Sequence, residues 1–220
     1  MKKLILVSCL FLFASNAKAE MGANVGLVSD YVWRGVSATN HGAAVQGGLD
    51  FTHGIGVENL NFMAGVWGSN VVADSEFDYY GGFNYAFSEK FNVSLKYLFY
   101  TYVQTFEANT HEVVLATEYT MNDVFSFVFD ANYTPDFFGT GTYCLYAHVA
   151  PTVNLPLSTY LTVNAGYSYF GDEAAAGESY IDYNVSLGKT TEDGFSYSVT
   201  VGDATKVKDT YAFVSFAKSI

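Results

Sequence analysis

From Val25 to the last residues of the chain, apolar and polar side chains alternate with a period of two, and helical spacing never persists long enough to compete. That period places successive side chains on opposite faces of an extended backbone, so each segment reads as a strand with one apolar and one polar face. Phe91, Val93, Leu95, Tyr97 and Phe99 stand against Asn92, Ser94, Lys96 and Tyr100, and Leu161, Val163 and Ala165 against Thr162 and Asn164. Twelve such segments follow one another, the first carrying Tyr31 and Trp33 against Asp30 and Arg34. The last, 210–220, is apolar at both parities.

The connections narrow the choice between a closed barrel and a sandwich. After every second segment they are short, at 54–59, 88–90, 120–123, 154–158 and 191–194. After the others they are longer, at 36–42, 69–75, 103–110, 135–141, 170–179 and 203–209. A sandwich with Greek-key crossings has no reason to alternate in this way, whereas an outer-membrane barrel pairs tight inner turns with longer outer loops. The fold expected is all-β: a transmembrane, antiparallel, up-and-down β-barrel of about 12 strands. Composition agrees, since 18 Tyr, 19 Phe and only 3 Pro suit a lipid-facing sheet better than a water-facing one. Trp33, Phe51, Phe77, Phe91, Phe99, Tyr119, Tyr133, Tyr169 and Phe195 are expected to face outward in interfacial girdles.

The first residues are excluded from this reading. Lys2 and Lys3, an apolar run from Leu4 to Ala14, and Ala17, Lys18 and Ala19 form a secretory signal, so residues 1–19 are expected to be cleaved and 20–220 to form a single barrel domain. Removing Lys2, Lys3 and Lys18 from the 10 basic residues leaves 7 against 22 acidic ones, a formal charge of −15. Nucleic acid is not a partner for such a charge. Cys144 is the one cysteine left, so no intramolecular disulfide can form.

With the apolar parity toward lipid, the other parity faces the lumen. The candidate pore-lining residues are Asp30, Arg34, Asp50, Trp67, Glu76, Asp78, Lys96, Tyr100, Glu112, Glu118, Asp130, Tyr146, His148 and Asp182. Eight are acids and two are bases, which concentrates cations and repels anions. Trp67, Tyr100 and Tyr146 are candidates for a constriction. Catalytic, metal and cofactor sites are not expected: no Gly-x-Ser-x-Gly, His-Glu-x-x-His or Gly-rich phosphate loop occurs, and His41, His53 and His111 fall near strand ends.

The stretches SDYVWRGVS at 29–37, FDYYGGFNY at 77–85, HEVVLATEY at 111–119, YTPDFFG at 133–139, YIDYNVSLGKT at 180–190 and the terminal VSFAKSI resemble the TorF-type porin family of small Gram-negative outer-membrane barrels. The resemblance implies an outer-membrane, porin-like protein, and the chain departs from the usual barrel pattern in ending on Ile220 rather than an aromatic. The expected function is passive diffusion of small hydrophilic solutes, weakly cation-preferring, in contact with outer-membrane lipid and lipopolysaccharide. The alternative is a non-conducting barrel whose loops, above all 170–179, bind a ligand or surface; a barrel enzyme is a weaker third.

Overall fold

The computed structural model describes residues 19–207 and 210–220; the expected signal segment lies outside these except for Ala19. Among the described residues fourteen strands occur in chain order: β1 (Ala19–Val28), β2 (Val32–Trp33), β3 (Val36–Ser37), β4 (Ala44–Gly54), β5 (Leu60–Val71), β6 (Asp74–Ser88), β7 (Phe91–Tyr102), β8 (Thr110–Thr120), β9 (Phe125–Thr134), β10 (Cys144–Leu155), β11 (Thr159–Phe170), β12 (Tyr180–Thr190), β13 (Phe195–Ala204) and β14 (Tyr211–Ser219). All but β2 and β3 form one closed antiparallel barrel of twelve strands, in which each pairs with its chain neighbours and β1 closes on both β4 and β14. Closure leaves no strand edge unpaired, which is the condition for a sheet to sit in hydrocarbon. A 12-residue strand rises about 40 Å, and a tilt of roughly 40° brings its span near the apolar thickness of a bilayer.

The alternation read from the sequence is the alternation of the wall. On β8 Thr110, Glu112 and Val114 are buried while His111, Val113 and Leu115 are exposed; on β6 Glu76 and Asp78 are buried while Phe77 and Tyr79 are exposed. Leu95, Leu187, Val199 and Val214, each more than half exposed, continue that outer apolar band around the barrel. In water such a surface would be a large apolar patch; against lipid chains each Leu or Val gains about 1.5–3 kcal/mol. Tyr133, Tyr143 and Tyr169 cluster at the long-loop end, and Tyr85, Phe87, Phe91 and Tyr119 at the other. The register of β14, with Val214 opposite Val199 and Phe216 opposite Tyr197, resolves its parity: Ala212, Val214 and Phe216 face out, Tyr211 and Phe213 in.

Two sequence expectations are corrected. The stretch 69–75 is not a long connection: β5 runs to Val71 and β6 starts at Asp74, joined by Val72 and Ala73, the latter at φ 55°. Asp74 instead accepts the backbone N–H groups of Gln104 and Thr105, tying the neighbouring loop to this tight turn. The first barrel strand does not reach Arg34. It is β1, ending at Val28, so Tyr31 and Trp33 do not face lipid and Trp33 belongs to no girdle. The backbone leaves the wall after Ser29, whose N–H still reaches Val214, and turns inward.

The other long connections lie at the same end. In 171–179 a single turn of helix, α1 (Glu173–Ala176), is capped by Asp172, whose carboxylate accepts the Ala174 N–H at 2.9 Å. Ser179 hydrogen-bonds Glu173 through its hydroxyl and its backbone N–H and holds that carboxyl below its ordinary range.

Candidate functional site

The inward turn is a miniature hairpin, β2 and β3, made by the stretch Tyr31 to Ala38. Its ladder pairs Val32 with Ser37 and Trp33 with Val36, and Arg34 (φ 47°) with Gly35 (φ 78°) forms the two-residue turn. Positive φ at both central positions is the geometry that matches the twist of a tight hairpin, and glycine is the residue that adopts it without strain. Asp30, only 4% exposed, pins the base: its carboxylate accepts from the Ser37 hydroxyl at 2.6 Å and the Thr39 hydroxyl at 3.0 Å, and pairs with His41 Nδ1 at 2.9 Å. The tip is wedged against the opposite wall. A Cβ on Gly35 would lie 2.6 Å from the Cβ of Asp182 on β12 and 2.9 Å from that of Ala204 on β13.

Arg34 locks the tip. Its Nη2 lies 2.9 and 2.8 Å from the two carboxylate oxygens of Glu112 on β8, with both side chains more than nine-tenths buried. The guanidinium lies 4.2 Å from the ring centres of both Trp33 and Tyr146. Glu112 is completed by the Tyr100 and Thr134 hydroxyls at 3.0 and 2.9 Å, and the Tyr180 hydroxyl donates to the Arg34 carbonyl at 3.0 Å. A buried ion pair holds its place only when its remaining hydrogen-bonding capacity is met by neighbours, and Glu112 satisfies that condition. Arg34 does so less fully, because its Nη1 has no partner among the described residues; nor has Oδ2 of Asp182, whose Oδ1 accepts from the Tyr146 hydroxyl at 3.3 Å.

The candidate residues divide into two tiers along the barrel axis. The outer tier brings together Asp30, Arg34, Glu76, Asp78, Tyr100, Glu112, Tyr146 and Asp182, and Trp67 packs edge-on against Tyr31 with ring centres 5.6 Å apart. Here the lumen is filled, with Tyr102 donating to Glu76 at 2.7 Å. Toward the short-turn end the inner face opens: Asp50 and Glu118 are exposed, and Lys96 is partly so. Asp50 receives the Tyr80 hydroxyl, and His148 joins Asp130 to Asn164 at 3.1 and 3.2 Å. All fourteen candidates therefore lie on the inner parity or the inward hairpin, but they do not line one uniform tube.

The constriction was expected from Trp67, Tyr100 and Tyr146. Its principal occupant is the hairpin, together with aromatics that the sequence reading left out. Trp33 packs against Phe137 and Phe138 with ring centres 6.3 and 5.6 Å apart, and Phe137 continues to Phe170 at 4.9 Å. These rings floor an apolar cup of about 560 Å³ at the outer mouth, with the ion pair Lys206–Glu178, 3.2 Å, beside it. Beneath the hairpin tip lies a smaller polar cavity of about 180 Å³, whose walls include Arg34, Tyr146, His148, Asn164, Asp182 and Asn184. Tyr180 and Tyr80 could have been found from the sequence as aromatics on the polar parity; Phe137 and Phe138 lie in a loop, where period carries no information.

Comparison with known proteins gives the same architecture. No curated protein matches the chain. Among solved structures, the KdgM porin superposes with a TM-score of 0.59 at 14% identity over 90% of this chain and 99% of that one. The NanC porin gives 0.56 at 8% identity over 91% and 98% of the two chains, and an outer membrane channel from Pseudomonas putida F1 gives 0.53 at 11% over 90% and 96%. At such identities the likeness is one of fold. The family model that matches carries a name other than the TorF-type one, and it covers residues 14–219. The chain belongs to the family described as a bacterial protein of unknown function, Gcw_chp.

Proposed function

We propose that this protein is an outer-membrane, porin-like channel through which small hydrophilic solutes diffuse passively, with a weak preference for cations. The observation that carries the reading is the two-faced wall: a continuous band of exposed Leu, Val, Phe and Tyr outside, and eight acids against two bases among the fourteen candidate residues of the inner parity and hairpin. The apolar band is what lipid chains cover, and outer-membrane lipid and lipopolysaccharide are the surroundings proposed for it. Inside, uncompensated carboxylates such as the exposed Asp50 and Glu118 draw cations into the wet tier. Structures of similar fold solved as porins and channels support the reading, as does the TorF-type resemblance. No catalytic role is assigned.

The hairpin makes the outer tier the resistance of such a pore. Refolded protein in planar bilayers is expected to give discrete conductance steps, with a reversal potential in a salt gradient displaced toward cations. Silent bilayers from correctly folded protein, or displacement toward anions, would overturn the proposal. One observation favours the second reading, a non-conducting barrel that binds through its loops: the outer tier is filled by side chains. Removing residues 171–179 separates the two, because a channel keeps conducting and a binding barrel loses its partner.

A further inference from the structure

We infer that the apolar cup at the outer mouth is a binding site for an organic cation that carries an aromatic ring. The inference goes beyond the channel reading, since it needs the outer mouth and not conduction through the lumen. The cup, about 560 Å³, is several times an engineered cavity of about 150 Å³ that takes up benzene, and falls within the roughly 300–1,000 Å³ of small-molecule sites. Its lining is reachable. Trp33 and Val36 come from the hairpin, Phe137 and Phe138 from the loop between β9 and β10, Ala176 from α1 and Val207 from the loop after β13, and each keeps part of its surface accessible. Val36, Phe137, Ala176 and Val207 pack in turn against the buried cluster of Cys144, Phe170, Tyr180 and Ala204, so the cup has a packed base.

The lining defines the body of the ligand. Phe138 meets Trp33 at 82° and Phe137 at 78°, edge to face, the arrangement in which the positive edge of one ring lies on the negative face of another. A further ring extends that set, and its entry removes apolar surface from water on both partners. A sugar fits less well. Of the two lining tyrosines, Tyr180 donates its hydroxyl to the Arg34 carbonyl and Tyr102 donates to Glu76, so neither is free to donate to a ligand hydroxyl. The rim defines the charge. Glu178 and Lys206 both border the cup, 3.2 Å apart, and Lys206 is also near enough to Glu173 to help hold its carboxyl low. Two carboxylates thus share one ammonium. Among the described charged residues of the loops 103–109, 135–143, 171–179 and 205–207, the exposed acids Glu107, Asp136, Asp172, Glu173 and Glu178 stand against Lys206. Such a mouth draws cations and repels anions, and aromatic faces accept a cation as well.

Phenethylamine is the probe, and Trp33 in the floor of the cup is a built-in reporter. Titrating phenethylamine into the refolded barrel in detergent should give saturable binding, by calorimetry and by a change in tryptophan emission read in a Trp67→Phe background. Cyclohexylethylamine, which keeps the charge without the aromatic face, and phenylacetate, which reverses the charge, should each bind several-fold more weakly, and ethylamine should not saturate. Phe138→Leu should weaken phenethylamine about tenfold while the barrel keeps its heat-modifiable mobility on gels. Glu178→Lys, an exposed change on the rim, should weaken phenethylamine several-fold and strengthen phenylacetate. Absence of saturation by folded protein, Phe138→Leu binding as wild type does, or phenylacetate binding as well as phenethylamine overturns the site. Conductance without binding defeats the site and leaves the channel standing, whereas binding without conductance keeps the site and defeats the channel.

Discussion

Arg34 is the residue on which the lumen turns. The sequence placed it on the inner parity near the outer end, four positions from Asp30 and too far along a strand to pair with it, so its acid had to come from elsewhere. That acid is Glu112, 78 positions away and 1% exposed. Arg34→Ala strands this carboxylate with only two hydroxyl partners, and losing one member of a buried pair costs about 3–5 kcal/mol. The double variant Arg34→Met with Glu112→Gln removes both charges and is expected to be less damaged than Arg34→Ala alone, measured by urea unfolding in micelles. Arg34→Ala should also shift the reversal potential further toward cations. Unchanged selectivity with loss of stability would make the pair a strut and nothing more. What the sequence could not show was the backbone direction. Tyr31 and Trp33 keep the same alternation on either side of Val32, so a two-residue ladder folding inward has the same local pattern as a strand that continues. The informative signal was Arg34-Gly35, a dipeptide able to take positive φ, with Asp30, Ser37 and Thr39 placed to close its base.

Among the elements, strands were legible and connections only partly. Period two survives where one face meets lipid and the other the lumen, as on β6 to β8, whereas β14 is apolar at both parities and takes its faces from its register with β13. It fails at 69–75, where Ser69 and Asn70 read as loop but belong to β5, since a wall that rises beyond the lipid no longer needs an apolar outer face. The inward hairpin is likewise independent of the wall. β1 pairs with β4 from Ala19 to Val28 without using any residue of β2 or β3. Replacing residues 31–38 with a Gly/Ser linker is therefore expected to leave barrel formation intact, read by gel mobility, while raising single-channel conductance several-fold. A variant that assembles and conducts no better would show that the hairpin does not limit the path.

For the whole molecule, the outward face sets the environment in which the fold is stable. Leu95 lies midway along β7, 54% exposed and on the lipid-facing parity. Leu95→Lys is expected to destabilise the barrel in phospholipid vesicles by about 2–4 kcal/mol, the cost of a cation near the bilayer midplane. Asp50→Lys on the inner wet tier carries no such penalty, and equal losses in both would contradict the assignment of faces.

The closing seam imposes an order of events. β1 meets β14 through only five paired positions, Asn24 to Val28, and the wall that receives the hairpin tip comes from β8, β10, β12 and β13. Tyr180 reaches Arg34 across 146 residues of chain. Contacts so distant in sequence form late, after the loop entropy between them has been overcome. The segment that follows the first strand must therefore wait, unsatisfied, until nearly all the rest has been made and curved around it, and the pocket for its arginine is finished only in the last stages of insertion. An unoccupied Glu112 in a half-built barrel is then a buried charge awaiting its partner, so the act of closing the cylinder and the act of furnishing its interior are one step in assembly.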